Sequence, residues 1–232
     1  MNVVWTRNRI LLAAVLVMAV ALVRTGFSIG LDAVADARLP NPDSFYKLVL
    51  LEDHDPQTGL HFVARDNAPQ GNWVHWSLPH SWTVWQGHRP LGLPRRPALL
   101  WAGVGVTMVS MLLLSVLVAL AVALHASHRA ALVSMLTLAT SIPLLGYGRL
   151  DQITHHIFML VPVAAAAACF LRPLPPARLA WPDALGGGLL GLALWISPET
   201  MPLVAGFAAV RAVLKLESAA PTPSLTPVAA GL

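Results

Sequence analysis

The sequence predicts an all-α fold, a polytopic bundle of about six transmembrane helices with a large outer loop after the first span. Three observations predict this fold. Of the 232 residues, 56% are hydrophobic and only 11% are charged. The mean hydropathy is +0.65. The apolar residues also form continuous runs of about 16 to 28 residues, which is typical of helices that cross a bilayer.

Six apolar runs account for the predicted spans, which cover residues 10–29, 98–124, 130–145, 153–171, 181–196 and 201–216. The last two are short for a bilayer core, which takes roughly 20 helical residues, and they favour a tight hairpin that stops short of one surface. The spans divide the chain into four regions. These are an N-terminal transmembrane helix (1–29), an outer loop (30–97), a five-span bundle (98–216) and a tail predicted to be disordered (217–232).

Basic residues beside the spans predict the orientation, because short loops rich in Lys and Arg stay in the cytoplasm. With a cytoplasmic N-terminus, Arg149 alone opposes this rule among the short outer loops. The basic residues on the cytoplasmic side are then Arg7, Arg9, Arg129, Arg172, Arg178 and Lys215. In an alternative interpretation, the first basic residues, the apolar run and the residues ADA at 35–37 form a cleavable signal peptide.

The outer loop opens with a predicted amphipathic helix at residues 43–53. Asp43 and Ser44 are candidate N-caps, and Phe45, Leu48 and Val49 follow at helical spacing. Further along, four tryptophans fit either an interfacial aromatic belt or a platform for sugar stacking; they are Trp73, Trp76, Trp82 and Trp85. The histidines of the loop match no closed zinc spacing and are expected at the polar surface; they are His54, His61, His75, His80 and His88.

The segment GYGRLDQITHH, residues 146–156, places polar side chains between two apolar runs. If the fourth span begins near Leu150, Asp151 and His155 share one helix face and could grip a divalent cation. His156 then points about 100° away. Asp151 also has a structural interpretation, because a carboxylate at a helix N-terminus caps free backbone amides and complements the helix dipole.

Two further carboxylates on the predicted outer side strengthen the metal hypothesis. Asp43 lies just beyond the first span, and Glu199 lies in the SPET turn between the last two spans. Together with Asp151 and His155 they form a candidate metal site, and oxygen-rich ligands suit Mg²⁺ or Mn²⁺. Arg149 and His156 are candidates for binding a phosphate, although Arg149 could equally neutralise Asp151.

The order of three motifs resembles a known family. NPDSFYKLVLLED follows the first span, DNAPQGNWVHWSLP lies later in the loop, and GRLDQITHH precedes the fourth span. This order is similar to the N-terminal half of bacterial polytopic glycosyltransferases of the GT-C superfamily, which are distantly similar to the catalytic subunit of oligosaccharyltransferase. The resemblance covers roughly residues 5–215.

The resemblance implies roles for individual residues. Asp43 matches the catalytic carboxylate that engages the acceptor and can touch the metal, and Asp151 matches the second acidic motif, which binds metal or donor phosphate. His155 and His156 correspond to a DHH motif, although residues 152–154 separate them here from the aspartate. The match of Glu199 is looser. The implied activity is sugar transfer from a polyprenyl-phosphate-linked donor at the outer face of a bacterial inner membrane.

Several alternatives stay open. The chain is shorter than the family pattern, so we expect either a truncated enzyme or one part of an enzyme completed by a second membrane subunit. The main alternative is a non-catalytic membrane scaffold or subunit whose outer loop binds a partner. The net charge of +4 comes from scattered basic residues rather than a basic stripe, and the pattern therefore predicts no nucleic-acid partner.

Overall fold

A computed structural model describes residues 13, 16, 20, 27–36, 38–39, 41–53, 62–63, 72–73, 78–170 and 181–219. The helices are α1 Phe27–Ala35, α2 Pro42–Glu52, α3 Leu78–His88, α4 Arg95–His125, α5 His128–Thr140, α6 Ile142–Tyr147, α7 His156–Phe170, α8 Trp181–Ile196 and α9 Met201–Ala219. Short 3-10 turns occupy Arg89–Leu91 and Pro198–Thr200. The strands β1 Phe62–Val63 and β2 Asn72–Trp73 form one small antiparallel pair. The predicted all-α class is confirmed, since this pair is the only departure from helix among the regular elements described.

Helix α4 is the central element of the fold. It packs against α1, α2, α3, α5 and α7. Its 31 residues are long and apolar enough to cross a membrane, and within the described ranges no other helix meets both criteria. The shorter α7 is also apolar.

Two predicted spans differ from the observed helices. The third is divided into α5 and α6 near Ser141, because Pro143, near the start of α6, lacks the amide hydrogen that a continuous helix needs. The fourth begins at His156 rather than at Ile153. The backbone just before it is bonded to distant side chains, since Thr107 Oγ1 donates to the Gln152 carbonyl. The Gln152 carbonyl thus accepts a hydrogen bond from a side chain of α4 and not from the backbone of α7.

The main core joins the outer segments to the first half of α4. It contains Leu48, Leu51, Val84, Leu99, Leu100 and Ile153, among others. A second cluster, made of Ala119, Met135 and Ala139, packs α5 on the far half of α4, and Ala13 contacts it. Ala13, Leu16 and Val20 are helical. Most of the predicted first span otherwise lies outside the described residues.

Helix α2 confirms the predicted helix at 43–53, but a different face is buried. Lys47, Leu48 and Leu51 are buried, whereas Phe45 is exposed. The face is set by packing against α4 and α3, and local apolar spacing does not encode that packing. At the other end of the chain, α9 continues to Ala219, into the predicted tail; the remainder of that tail lies outside the described residues.

A close approach at Gly103 fixes the segment before α7 against α4. A Cβ atom at this position would lie 2.6 Å from Ile153 Cγ2. Only glycine therefore lets Ile153 contact the α4 backbone, and this contact sets the position of residues 150–155.

Candidate functional site

The candidate site forms where the segment before α7 meets the start of α2, the first turn of α3 and the 3-10 turn at Pro198–Thr200. Residues 150–155 are all buried. The α7 helix begins directly after them and carries His156 at its first position. The polar residues of the GRLDQITHH motif thus lie inside the fold, in an irregular segment rather than on a helix face.

The start of α2 is bonded directly to this segment. Asn41 Nδ2 donates to Gln152 Oε1 at 2.5 Å, and the Ile153 amide donates to Ser44 Oγ at 3.2 Å. Asn41 also caps α2, since its Oδ1 accepts from the Asp43 amide at 2.9 Å. These bonds bring two predicted motifs together. Asp43 lies in the first turn of α2 and its side chain is exposed.

Asp151 is a buried carboxylate paired with Arg149. The distance from Arg149 Nη2 to Asp151 Oδ2 is 2.7 Å, and the two side chains are 37% and 1% exposed. This pairing is the alternative that the sequence left open for Arg149. Asp151 lies in a turn, so it does not share a helix face with His155 and does not cap α7. Its Oδ1 is buried without a hydrogen-bond partner in the described part of the chain.

A buried lysine lies on the inner face of α2. Lys47 is 1% exposed, and its Nζ donates to Ser81 Oγ at 3.5 Å. Burial lowers the pKa of the Lys47 ammonium to about 8, and the nearby Asp43 carboxylate partly opposes this shift. A cationic group whose charge is costly to bury therefore lies behind the exposed Asp43.

His80 and His155 are buried beside Lys47. Burial, reinforced by the charge of Lys47, holds the pKa of His80 well below its usual range. The same causes lower the pKa of His155, which precedes α7, to about 3. The ring centroid of His80 lies 6.5 Å from that of His155 and 5.5 Å from that of Phe158. The expectation that His80 lies at the polar surface is wrong, because α3 turns it toward α7.

His156 is positioned by contacts on several sides. Its ring stacks with Tyr147 at 4.3 Å and with His155 at 4.6 Å between centroids. Its Nδ1 lies 2.9 Å from Thr154 Oγ1, and its Nε2 lies 3.6 Å from Glu199 Oε2. The 3-10 turn holds Glu199 at this edge of the site.

One group of possible metal ligands occurs among the described residues. Single ligand atoms from His155, His156 and Glu199 all lie within 4.8 Å of one another. The predicted metal site shared His155 and Glu199 with this group. Asp43 and Asp151 do not belong to it, whereas His156, predicted as a phosphate ligand, does.

An apolar groove adjoins the polar cluster, which is the group formed by Lys47, His80, His155 and His156. It has a volume of about 570 Å³ and lies between α3, α4, α7 and α8. Among its lining residues are Trp101, Val109, Phe158, Val161, Leu192 and Ile196. Phe158 also contacts His80, and Ile196 is joined by Ser197 to the turn that carries Glu199. The groove and the polar cluster thus share an edge.

Four side chains of the site were not among the site residues predicted from the sequence: Ser44, Lys47, His80 and Gln152. Lys47 had a detectable signal, since it follows Asp43 by one helical turn and is one of only two lysines in the chain. Ser44 and Gln152 had none, because their bonds join segments more than 100 residues apart.

Searches against protein-family models, curated proteins and solved structures found no match to this chain.

Proposed function

We propose that this protein is a membrane glycosyltransferase that transfers a sugar from a polyprenyl-phosphate-linked donor at the outer face of a bacterial inner membrane. The observation that carries the proposal is the shared edge between an apolar groove and a buried polar cluster. A donor with a long apolar chain and a phosphate-linked sugar needs both environments side by side.

The apolar surface supports a location in the membrane. Along α4, several large apolar side chains are exposed, including Val109, Leu113 and Leu124. Large apolar side chains are also exposed on other helices, including Leu136, Trp195 and Val210. Water disfavours such a surface, whereas lipid does not. We propose six spans and a cytoplasmic N-terminus. The spans are the apolar run at 10–29, α4, the broken pair α5–α6, α7, α8 and α9.

The donor would bind with its chain in the groove and its phosphate at the polar edge. Phe158 marks the boundary, because it lines the groove and contacts His80. Lys47 supplies positive charge near this point, and His156 is a candidate hydrogen-bond donor to the phosphate. Arg149 is already paired with Asp151, so its role would be to hold the buried segment.

The proposed reaction is a displacement at the anomeric carbon of the sugar. An acceptor oxygen forms a bond to this carbon while the bond to the phosphate oxygen breaks, and the lipid phosphate leaves with the bonding electrons. The exposed Asp43 carboxylate takes the proton of the acceptor. The positive charge of Lys47 stabilises the departing phosphate. A bound divalent cation would supply further stabilisation of the same charge.

A specific observation favours a second candidate, a non-catalytic membrane subunit. Phe45 on α2 and Trp82 on α3 are 48% and 57% exposed, and both belong to the segment between the first span and α4. Exposed aromatic side chains are typical of surfaces that bind a partner protein. In this case a second membrane subunit would carry out the chemistry, and the polar cluster would be structural.

The direct test is sugar transfer by the purified full chain in lipid vesicles. A panel of radiolabelled decaprenyl-phosphate hexoses serves as donor, and vesicle lipids and periplasmic extract serve as acceptors. We expect Asp43→Asn to lower transfer by about 10²-fold or more, because it removes the proton acceptor. Asp36→Asn, at another exposed aspartate, is the matched control and should leave transfer unchanged. Full activity in Asp43→Asn would exclude Asp43 as the proton acceptor, whereas no transfer by the purified wild-type chain would favour the subunit instead.

A further inference from the structure

We propose that His155, His156 and Glu199 form a binding site for a zinc-class transition-metal ion. The site joins two segments that are distant in sequence, the start of α7 and the 3-10 turn at Pro198–Thr200. Their ligand atoms lie within 4.8 Å of one another. His155 is buried, His156 is half-buried and Glu199 is exposed. The group therefore has a closed inner side and an open outer side.

The distance between His156 and Glu199 matches a shared metal ion. His156 Nε2 and Glu199 Oε2 are 3.6 Å apart. In a tetrahedral zinc site with bonds of about 2.0–2.1 Å, two ligand atoms are separated by roughly 3.3 Å. A shift of a few tenths of an ångström, well within the freedom of the exposed Glu199 side chain, would complete this edge of the site.

A second, independent contact orients the His156 ring for coordination. Thr154 Oγ1 lies 2.9 Å from Nδ1. When Nδ1–H donates to this hydroxyl, Nε2 presents its lone pair to the Glu199 carboxylate. Histidine ligands are commonly held this way by a bond at the other ring nitrogen. Two acceptors that face each other repel unless a proton or a cation lies between them, and a bound metal ion would meet this requirement.

The position of Glu199 is also fixed by its own segment. Its amide donates to Ser197 Oγ at 3.3 Å, and Thr200 Oγ1 donates to the Ser197 carbonyl at 2.8 Å. Tyr147 stacks with the His156 ring and limits its rotation. The His156 ring and the backbone of Glu199 are therefore placed by contacts that do not depend on the metal, so that mainly the Glu199 side chain has to be ordered on binding.

The ligand set indicates the class of metal. Two imidazole nitrogens and one carboxylate oxygen suit Zn²⁺, whereas Mg²⁺ takes oxygen ligands in an octahedral arrangement. The expected Mg²⁺ or Mn²⁺ site with Asp43 and Asp151 is therefore replaced by a nitrogen-rich one. Three protein ligands leave a fourth position open for water or a phosphate oxygen. That use of the open position rests on the proposed function, whereas metal binding itself does not.

Metal content of the untagged full chain in nanodiscs tests the inference. The protein is treated with a chelator, and separate samples are titrated with Zn²⁺ and with Co²⁺. The visible absorption of bound Co²⁺ reports tetrahedral geometry. We expect one ion per chain. Glu199→Gln should lower the affinity for zinc at least tenfold. Because Glu199 is exposed, misfolding of the variant would not account for this loss. Thr154→Val should lower the affinity about 10- to 100-fold through loss of the orienting bond.

The matched controls are His125→Ala and His128→Ala, at exposed histidines in the last position of α4 and the first position of α5. These variants should bind zinc as the wild type does. Equal zinc affinity in Glu199→Gln and wild type, or no binding by the wild type, would overturn the inference. Zinc binding without sugar transfer would contradict the proposed function alone. Full transfer by a chain that binds no zinc would contradict the metal site alone.

Discussion

At the scale of single residues, Lys47 is the most unusual group in the site. It is an ammonium on a helix face that packs into the core, and burial lowers its pKa to about 8. A group of this kind costs stability wherever it stays charged in the folded protein. Its position behind Asp43 is consistent with a role in holding an anion.

Lys47 predicts a rise in stability at alkaline pH. The unfolded lysine keeps an ordinary pKa of about 10.4, whereas the folded one titrates near 8. Between these values the unfolded chain binds more protons, so the free energy of unfolding increases with pH. Lys47→Met should remove this contribution. Thermal unfolding in nanodiscs from about pH 7.5 to 10 measures it, and wild-type and variant profiles that stay parallel would contradict the buried ammonium.

The Asp151–Arg149 pair predicts a loss of stability rather than a purely catalytic effect. Asp151→Asn leaves the guanidinium without its charged partner, and we expect a cost of about 1–3 kcal/mol. This range is reduced because Arg149 is 37% exposed and partly solvated. The double variant Arg149→Met/Asp151→Leu should recover part of the loss. A normal melting temperature in Asp151→Asn, combined with lost transfer, would instead assign the carboxylate to the reaction.

At the scale of secondary-structure elements, one glycine of α4, Gly103, allows the close contact between this helix and the segment that holds the site. Gly103→Ala would place a methyl group against Ile153 and overpack the contact, at a cost of about 1–3 kcal/mol. Gly105→Ala is the matched control, since nothing lies within 4 Å of its Cβ position. It should be neutral or stabilise α4 by about 0.5–1 kcal/mol through the lower backbone entropy of alanine. Melting temperatures of the two variants measure the difference, and equal values would contradict the close approach.

The helices themselves were largely predictable from the sequence. Helix α8 has the bounds of the fifth predicted span, Trp181–Ile196, because a continuous apolar run ends there at a serine and a proline. The start of α7 was not predictable. The backbone just before α7 forms hydrogen bonds with the side chains of Ser44 and Thr107, and local periodicity contains no signal for such distant partners.

The candidate site was predictable in composition but not in geometry. His155, His156 and Glu199 were all singled out by residue type and by their predicted side of the membrane. Topology places groups on one side without fixing which of them touch. The grouping therefore depended on the turn before α7, which turns Asp151 toward Arg149 and leaves His155 and His156 beside Glu199.

At the scale of the whole molecule, the proposed function requires the apolar groove and the polar cluster to act as one site. The groove is formed by four helices, and Phe158 belongs to both environments. The second large pocket described, about 530 Å³, lies instead beside the Asp183–Arg211 pair, with Phe170 in its wall. It shares no lining residue with the groove, so the two pockets are separate.

The most direct measurement is photo-crosslinking of a decaprenyl phosphate that carries a benzophenone near its phosphate to the purified chain in nanodiscs. We expect adducts on groove residues such as Val109 and Phe158, and unlabelled decaprenyl phosphate should suppress them while inorganic phosphate should not. Adducts confined to outward-facing residues such as Val133 and Leu136, or unaffected by the unlabelled lipid, would contradict this expectation.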